Sequence, residues 1–264
     1  MSVADRLSAL SPEQRALFEK LRARPAVRTL PPVRSVSGPT GVGDWSLSFD
    51  QERLLQLHRD HPGLVSWNVD AGSRLLGELD VSRFLAAFRA LIRRHAAWRT
   101  TFPVVDGRPV QRVHPWVEPQ ISILDVSALP AAARERAGLA AIYEHTRQPF
   151  DLENGPLLRI ALVRLAERDH LYLVTIHHTA TDWIAFQIFF GELIQVYEGI
   201  PLPPLPVQFP DYVLWEREHW QGEVLEEEAR FWRKELEGFP LVLDLPGDRP
   251  RPPVQSQRGG LCRV

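Results

Sequence analysis

The stretch LYLVTIHHTATDWIAF, residues 171–186, concentrates side chains able to do chemistry. His177 and His178 are adjacent at the end of an apolar run, and Asp182 follows four residues after the second. Imidazole beside carboxylate can move a proton, ligate a metal, or sit satisfied in a core. Along a strand, neighbouring side chains point to opposite faces. Leu171, Leu173, Thr175 and His177 then share one face, and Tyr172, Val174, Ile176 and His178 the other. Both faces are largely apolar, as in a central strand covered on both sides. Adjacent histidines on such a strand do not easily reach one ion together, and no His-x-His or Cys partner lies near, so no metal site is expected. A packed core histidine and a catalytic histidine both fit this spacing. Polar groups between the end of a buried strand and a helix lie where α/β proteins commonly place sites. Asp182 is positioned to cap that helix or to anchor an arginine.

The elements that must hold these residues can be read from apolar periodicity. SFDQERLLQLHRDH reads as a helix, and VSRFLAAFRALIRRHAA as a helix with a stripe of Phe84, Leu85, Phe88, Leu91 and Ile92. LVSWNVD and SRLLGELD read as two strands. WRTTFPVVDGRPVQRVHP reads as two strands around an Asp106-Gly107 turn. PQISILDVS is a further strand, followed by a helix opening at Pro130. PLLRIALVRLAERDHLYLVTIHH reads as two strands joined by AERD, and DWIAFQIFFGELIQVYEG as a helix ending near Gly199. A proline-rich loop then leads into PDYVLWEREHWQGEVLEEEARFWRKELEG, one broken helix or two. This mixture predicts an α/β or α+β sandwich.

Composition narrows the function classes. A net charge of -2 offers no basic excess for nucleic acid or an anionic membrane. Cys262 is the only cysteine, so no intramolecular disulfide can form, which fits a reducing, cytoplasmic setting. No apolar run has the length of a membrane span, and the N-terminus lacks the apolar core of a signal peptide. Residues 1–23 read as a short amphipathic helix, with Ser11 as cap, Pro12 in the first turn and Gln14 completing a capping box. Residues 24–44 carry Pro and Gly without apolar periodicity and read as a linker. The main domain is expected to start at residue 45 and run to 264.

Several stretches, in order, resemble the condensation domains of nonribosomal peptide synthetases. HHTATD (His177 to Asp182) is similar to their HHxxxDG motif, with Trp183 in place of the glycine. SFDQERLLQL, RHAAWRTTF, FDLENGPLLRIAL, PDYVLWER and LPGDRPRP resemble further motifs of that family. The resemblance implies a chloramphenicol acetyltransferase-like lobe, a mixed sheet flanked by helices, with residues 45–264 as the N-terminal lobe and the start of a crossover to a second lobe that this sequence lacks. It implies amide formation between an acyl or peptidyl thioester and the amine of an aminoacyl thioester. Both would ride on phosphopantetheine arms of donor and acceptor carrier proteins, beside an adenylation domain, with no cofactor bound directly. His178 would carry catalysis as a base or as a positioning group. His177 and Asp182 would support it, with Asp182 paired to Arg53 or Arg99. Trp183 would narrow the substrate channel, lower activity, or turn into the core. Ester formation, epimerisation, dehydration and a non-catalytic carrier-binding role are the alternatives.

Overall fold

The structure is a computed structural model that describes residues 30–240, together with positions 11, 12, 14, 242 and 250. The chain divides into Met1–Val33 and Arg34–Val264. In the first unit, the Gln14 amide donates to Ser11 Oγ (3.1 Å) and the Ser11 amide to Gln14 Oε1 (3.0 Å), the expected capping box. The rest of the predicted N-terminal helix lies outside the described residues, as does nearly all of the LPGDRPRP stretch.

The second unit is organised by two long apolar strands, β8 (Leu158–Ala166) and β9 (Asp169–His177), paired antiparallel. On one side of β9 lies β2 (Asn68–Leu76), antiparallel; beyond β8 lies β7 (Gln120–Asp125), parallel to it. The sheet order is thus β2-β9-β8-β7, with β9 central. A parallel neighbour needs a crossover, and the helix α3 (Ala131–Thr146) supplies it between β7 and β8.

Period-two alternation decides which core each strand residue joins. Leu158, Ile160, Leu162, Tyr172, Val174 and Ile176 face the helices α2 (Val81–Arg94) and α4 (Trp183–Glu198). On α2, the buried set Phe84, Ala87, Phe88, Leu91 and Ile92 follows helical spacing, with Asp80 as cap accepting from the Arg83 amide. The opposite residues of the sheet, Ala161, Val163, Leu165 and Leu171, pack with Val126 and with Ile142 of α3. A third cluster, including Leu47, Leu55, Phe102, Phe150 and Leu157, lies beneath the helix α1 (Phe49–Asp60). The result is the expected α/β arrangement, a mixed sheet with helices on both faces.

Two expectations are corrected. The two strands read at 64–70 and 73–80 are one strand, β2, running through Ala71-Gly72. A Cβ at Gly72 would stand 2.3 Å from the Tyr172 carbonyl oxygen, so the glycine is there for close approach of β9 rather than as a break. The segment read as linker is built into the domain before residue 45. Gly43–Trp45 forms β1, which pairs with β6 (Gln111–Val113), and the Val36 and Ser37 amides donate to Asp211 Oδ1, each at 2.7 Å. Of the two readings of the long C-terminal helical pattern, two helices form, α5 (Phe209–His219) and α6 (Gly222–Glu235).

The Asp106-Gly107 hairpin forms as expected, between β4 (Val104–Val105) and β5 (Arg108–Pro109), with both turn residues at positive φ. The short strand β3 (Thr100–Thr101) joins β6. Among the described residues no helix is long and apolar enough to cross a membrane.

Candidate functional site

The site begins where β9 ends. His177 is its last residue and is almost fully buried. His178 follows in a turn, exposed, with its backbone N–H donated to the Trp67 carbonyl at 2.8 Å. The two imidazoles therefore sit in opposite environments, as alternation requires, and do not share a ligand position.

His177 is enclosed by its own turn and by neighbouring rings. Thr179 donates its backbone N–H to His177 Nδ1 at 3.3 Å and places its hydroxyl 2.9 Å from the same nitrogen. An N–H donor makes Nδ1 the acceptor and puts the ring proton on Nε2. The ring lies edge-on to His58 (6.0 Å) and Phe150 (6.2 Å). Burial, with His58 and His178 nearby, pushes its pKa down to about 3, so it is neutral at any ordinary pH.

His178 lines a cavity of about 520 Å³. Its ring packs edge-on to Trp67 at 5.9 Å, and the Arg53 guanidinium lies over the same indole, 5.6 Å from its centroid. The turn after His178 is held by α1. Gln51 donates to the Thr179 carbonyl and to Gln111 Oε1, each at 3.3 Å, while its own Oε1 accepts the Ser48 amide in a capping box. The SFDQ stretch thus starts a helix and braces the histidine loop with the same glutamine.

Asp182 caps α4, accepting the Ala185 amide at 2.6 Å, and also lines the cavity. It does not pair with either expected arginine. Arg99 is fully buried and spends its guanidinium on the carbonyls of Ile92 (3.0 Å), Thr40 (2.7 Å) and His114. It ties the end of α2 to the approach to β1 and to the end of β6. Arg53 pairs with Asp50 at 3.3 Å, one turn back on its own helix. It lies over Trp67 and lines the cavity.

Trp183 neither enters the core nor lines the cavity. It is 67% exposed at the first position of α4, while Asp182 and Ala185 on either side of it do line the cavity. The wide exposure follows from helix geometry: the first turn presents Trp183 and Ile184 outward, and Phe186 is the first α4 side chain to reach the core.

Further lining residues lie in the RHAAWRTTF stretch. His95, the C-cap of α2, lines the same cavity, as does Trp98. His95 Nε2 is 2.5 Å from Glu192 Oε2, and Arg94 Nε is 3.1 Å from Glu192 Oε1. Gln208 clamps the backbone on both sides of His95, accepting the Ala96 amide (3.0 Å) and donating to the Arg94 carbonyl (2.9 Å). The RHAAWRTTF stretch contains His95, but nothing in its spacing marks Glu192 as a partner 97 residues later.

The chain has counterparts among known proteins. A family model described as the condensation domain matches residues 43–263. A linear gramicidin synthase of Brevibacillus parabrevis is 39% identical over 224 residues, 83% of this chain and 3% of the relative. Phosphinothricin tripeptide synthetase PhsC of Streptomyces viridochromogenes is 38% identical over 264 residues, 98% of this chain and 24% of the relative. Among solved structures, the complex of the X-domain and OxyB from teicoplanin biosynthesis matches with a TM-score of 0.73 and 29% identity. That match covers 88% of this chain and 51% of the solved one. The starter condensation domain of the rhizomide synthetase RzmA shares the fold, with a TM-score of 0.67 at 20% identity over 75% of this chain and 49% of its own. The chain therefore spans about half of those solved chains, and a small part of the synthetases.

Proposed function

Because this chain belongs to the condensation-domain family of nonribosomal peptide synthetases, we propose that its cavity belongs to a site for amide formation. The donor is an acyl or peptidyl thioester, the acceptor an aminoacyl thioester, each on the phosphopantetheine arm of a carrier protein. An adenylation domain of the same assembly line loads the acceptor. The observation that carries the reading is His178, exposed on the wall of a 520 Å³ cavity at the end of the central strand, braced by Trp67, Arg53 and Gln51.

In this reading the imidazole of His178 hydrogen-bonds to the reacting groups. Among the described residues no carboxylate orients its ring. Positioning the amine and steadying charge on the tetrahedral intermediate are then its contributions. His177, Thr179 and Asp182 hold the loop. Trp183 stands beside the mouth of the cavity and shapes what docks there.

The test uses the intact protein with small-molecule thioester donor and amine acceptor, read by product mass. His178→Ala should cut turnover about 10²–10⁴-fold. The shape of the pH–rate profile should stay as in the parent. Loss of the profile's acid limb would return the proton-accepting role to His178.

A second reading is a non-catalytic domain that binds a partner protein. It is favoured by Trp183 in place of the motif glycine and by the likeness to an X-domain solved in complex with OxyB. It predicts no amide from two loaded carrier proteins, with carrier binding retained in a titration.

A further inference from the structure

The cavity contains a second imidazole, and that one is built like a base. Four features distinguish His95 from His178. Its Nε2 is committed to the Glu192 carboxylate at 2.5 Å. That carboxylate is itself held by Arg94, and its side chain is 12% exposed. The ring packs on Trp98 with centroids 4.7 Å apart, and Trp98 packs in turn on Phe189. Its backbone is clamped on both sides by the Gln208 amide and closed by the His95 N–H bond to the Leu91 carbonyl (3.0 Å). An imidazole oriented by a largely buried carboxylate on one nitrogen, and lining a cavity, is the general arrangement of a positioned base.

We propose that His95, oriented by Glu192, is the group that accepts the proton of the acceptor's α-ammonium. The proposal rests on the amide-forming reading of this cavity. An α-amino group titrates near pH 8, so at pH 7 most of it must lose a proton before it can attack. With Nε2 held by Glu192, the nitrogen left for substrate is Nδ1. An ammonium N–H proton passes to Nδ1, and the imidazolium formed donates from Nε2 to the Glu192 carboxylate. The neutral amine attacks the thioester carbonyl carbon, and the C–N bond forms. The C–S bond then breaks, the thiolate leaves, and it takes the second proton shed by the amide nitrogen. The imidazolium releases its proton to water. Atoms and charge balance without any co-reactant.

The groups around the ring act on its proton in both directions. Glu192 from α4 faces it, Arg94 from α2 and Arg99 from the following turn oppose protonation, and His178 and Asp182 lie across the same cavity. Burial is the largest influence on His95 and favours the neutral, proton-accepting form, with Glu192 acting the other way.

The experiment compares parent, His95→Gln, Glu192→Gln and His178→Ala in the intact protein, with small-molecule thioester and amine, from about pH 6 to pH 9.5, a range spanning the α-amino titration. Folding is checked by thermal melting, and the His95 tautomer by ¹⁵N-histidine NMR. His95→Gln should lose about 10²-fold in turnover at pH 7. The deficit should shrink towards high pH, where the amine is neutral without help. Glu192→Gln should show the same convergence with a smaller deficit, and the parent's NMR spectrum should show Nδ1 unprotonated at neutral pH. A loss in both variants that is uniform across pH assigns the pair a packing role and overturns the proposal. So does full activity of His95→Gln. In either case a surviving His178→Ala defect leaves the amide-forming reading intact. Absence of amide from the parent protein overturns both.

Discussion

Thr179 and Gln51 do as much for the candidate site as the histidines beside them. Thr179 sets the His177 tautomer with its backbone N–H and adds a hydroxyl contact at 2.9 Å. Thr179→Val keeps the shape and removes only the hydroxyl, so it should cost about 0.5–1.5 kcal/mol in urea denaturation. Gln51→Leu strips partners from the Thr179 carbonyl, Gln111 and the Ser48 amide, and should cost about 1–3 kcal/mol. Trp183 makes the opposite case. The indole stands outside the cavity, so Trp183→Gly should leave turnover on small-molecule substrates within about twofold, the ordinary range for a surface change. A large rise in turnover would mean that the indole blocks the channel.

At the level of elements, the site depends on how closely β2 follows β9. Gly72 allows that approach, since any Cβ would meet the Tyr172 carbonyl oxygen, which is backbone and cannot rotate away. Gly72→Ala should therefore cost about 1–3 kcal/mol or more through forced displacement of the strand pair. Chemical denaturation reads the loss. Amide exchange should localise it to β2 and β9, where Asn68 pairs with His177. The two-helix pair α2 and α4 sets the other wall. Phe88 and Phe189 pack at 5.2 Å, and this contact brings the C-cap His95 against Glu192. Phe88→Ala should destabilise by about 3–5 kcal/mol and loosen the His95–Glu192 pair with it.

Across the whole molecule, buried and half-buried histidines shape the response to acid. His58, His95, His114, His145, His170 and His177 are all held below the ordinary imidazole pKa, with burial the largest cause for each. In the native state they take up protons less readily than in the unfolded chain, whose imidazoles titrate near pH 6.5. Unfolded chains then bind more protons than folded ones, so stability falls as pH falls from about 6.5 towards the native values. His177 contributes most, with its window running down to about 3. Between pH 7 and pH 5 its share should be about 2 kcal/mol. In His177→Asn, the difference in unfolding free energy between those two pH values should shrink by about that amount, whatever the variant's absolute stability.

Much of this is legible in the sequence because it is local. Helical spacing exposes the buried stripe of α2, and alternation assigns His177 and His178 to opposite faces of β9. Asp106-Gly107 marks its turn, and the apolar periodicity of SFDQERLLQLHRDH marks α1. Ordered motifs are enough to place the chain in its family. Tertiary structure decides the partners. Arg99 and Arg53 are equally able to meet Asp182 as far as sequence goes, yet one is drawn into a buried set of backbone carbonyls and the other to Asp50 and Trp67. Gly72 reads as a break until the neighbouring strand supplies the reason for it. Glu192 reaches His95 across 97 residues, a contact that exists because α2 and α4 pack on one sheet face. Periodicity along a chain reports which face a side chain takes. Which polar group waits on that face depends on how separate elements pack, and no local pattern carries that information.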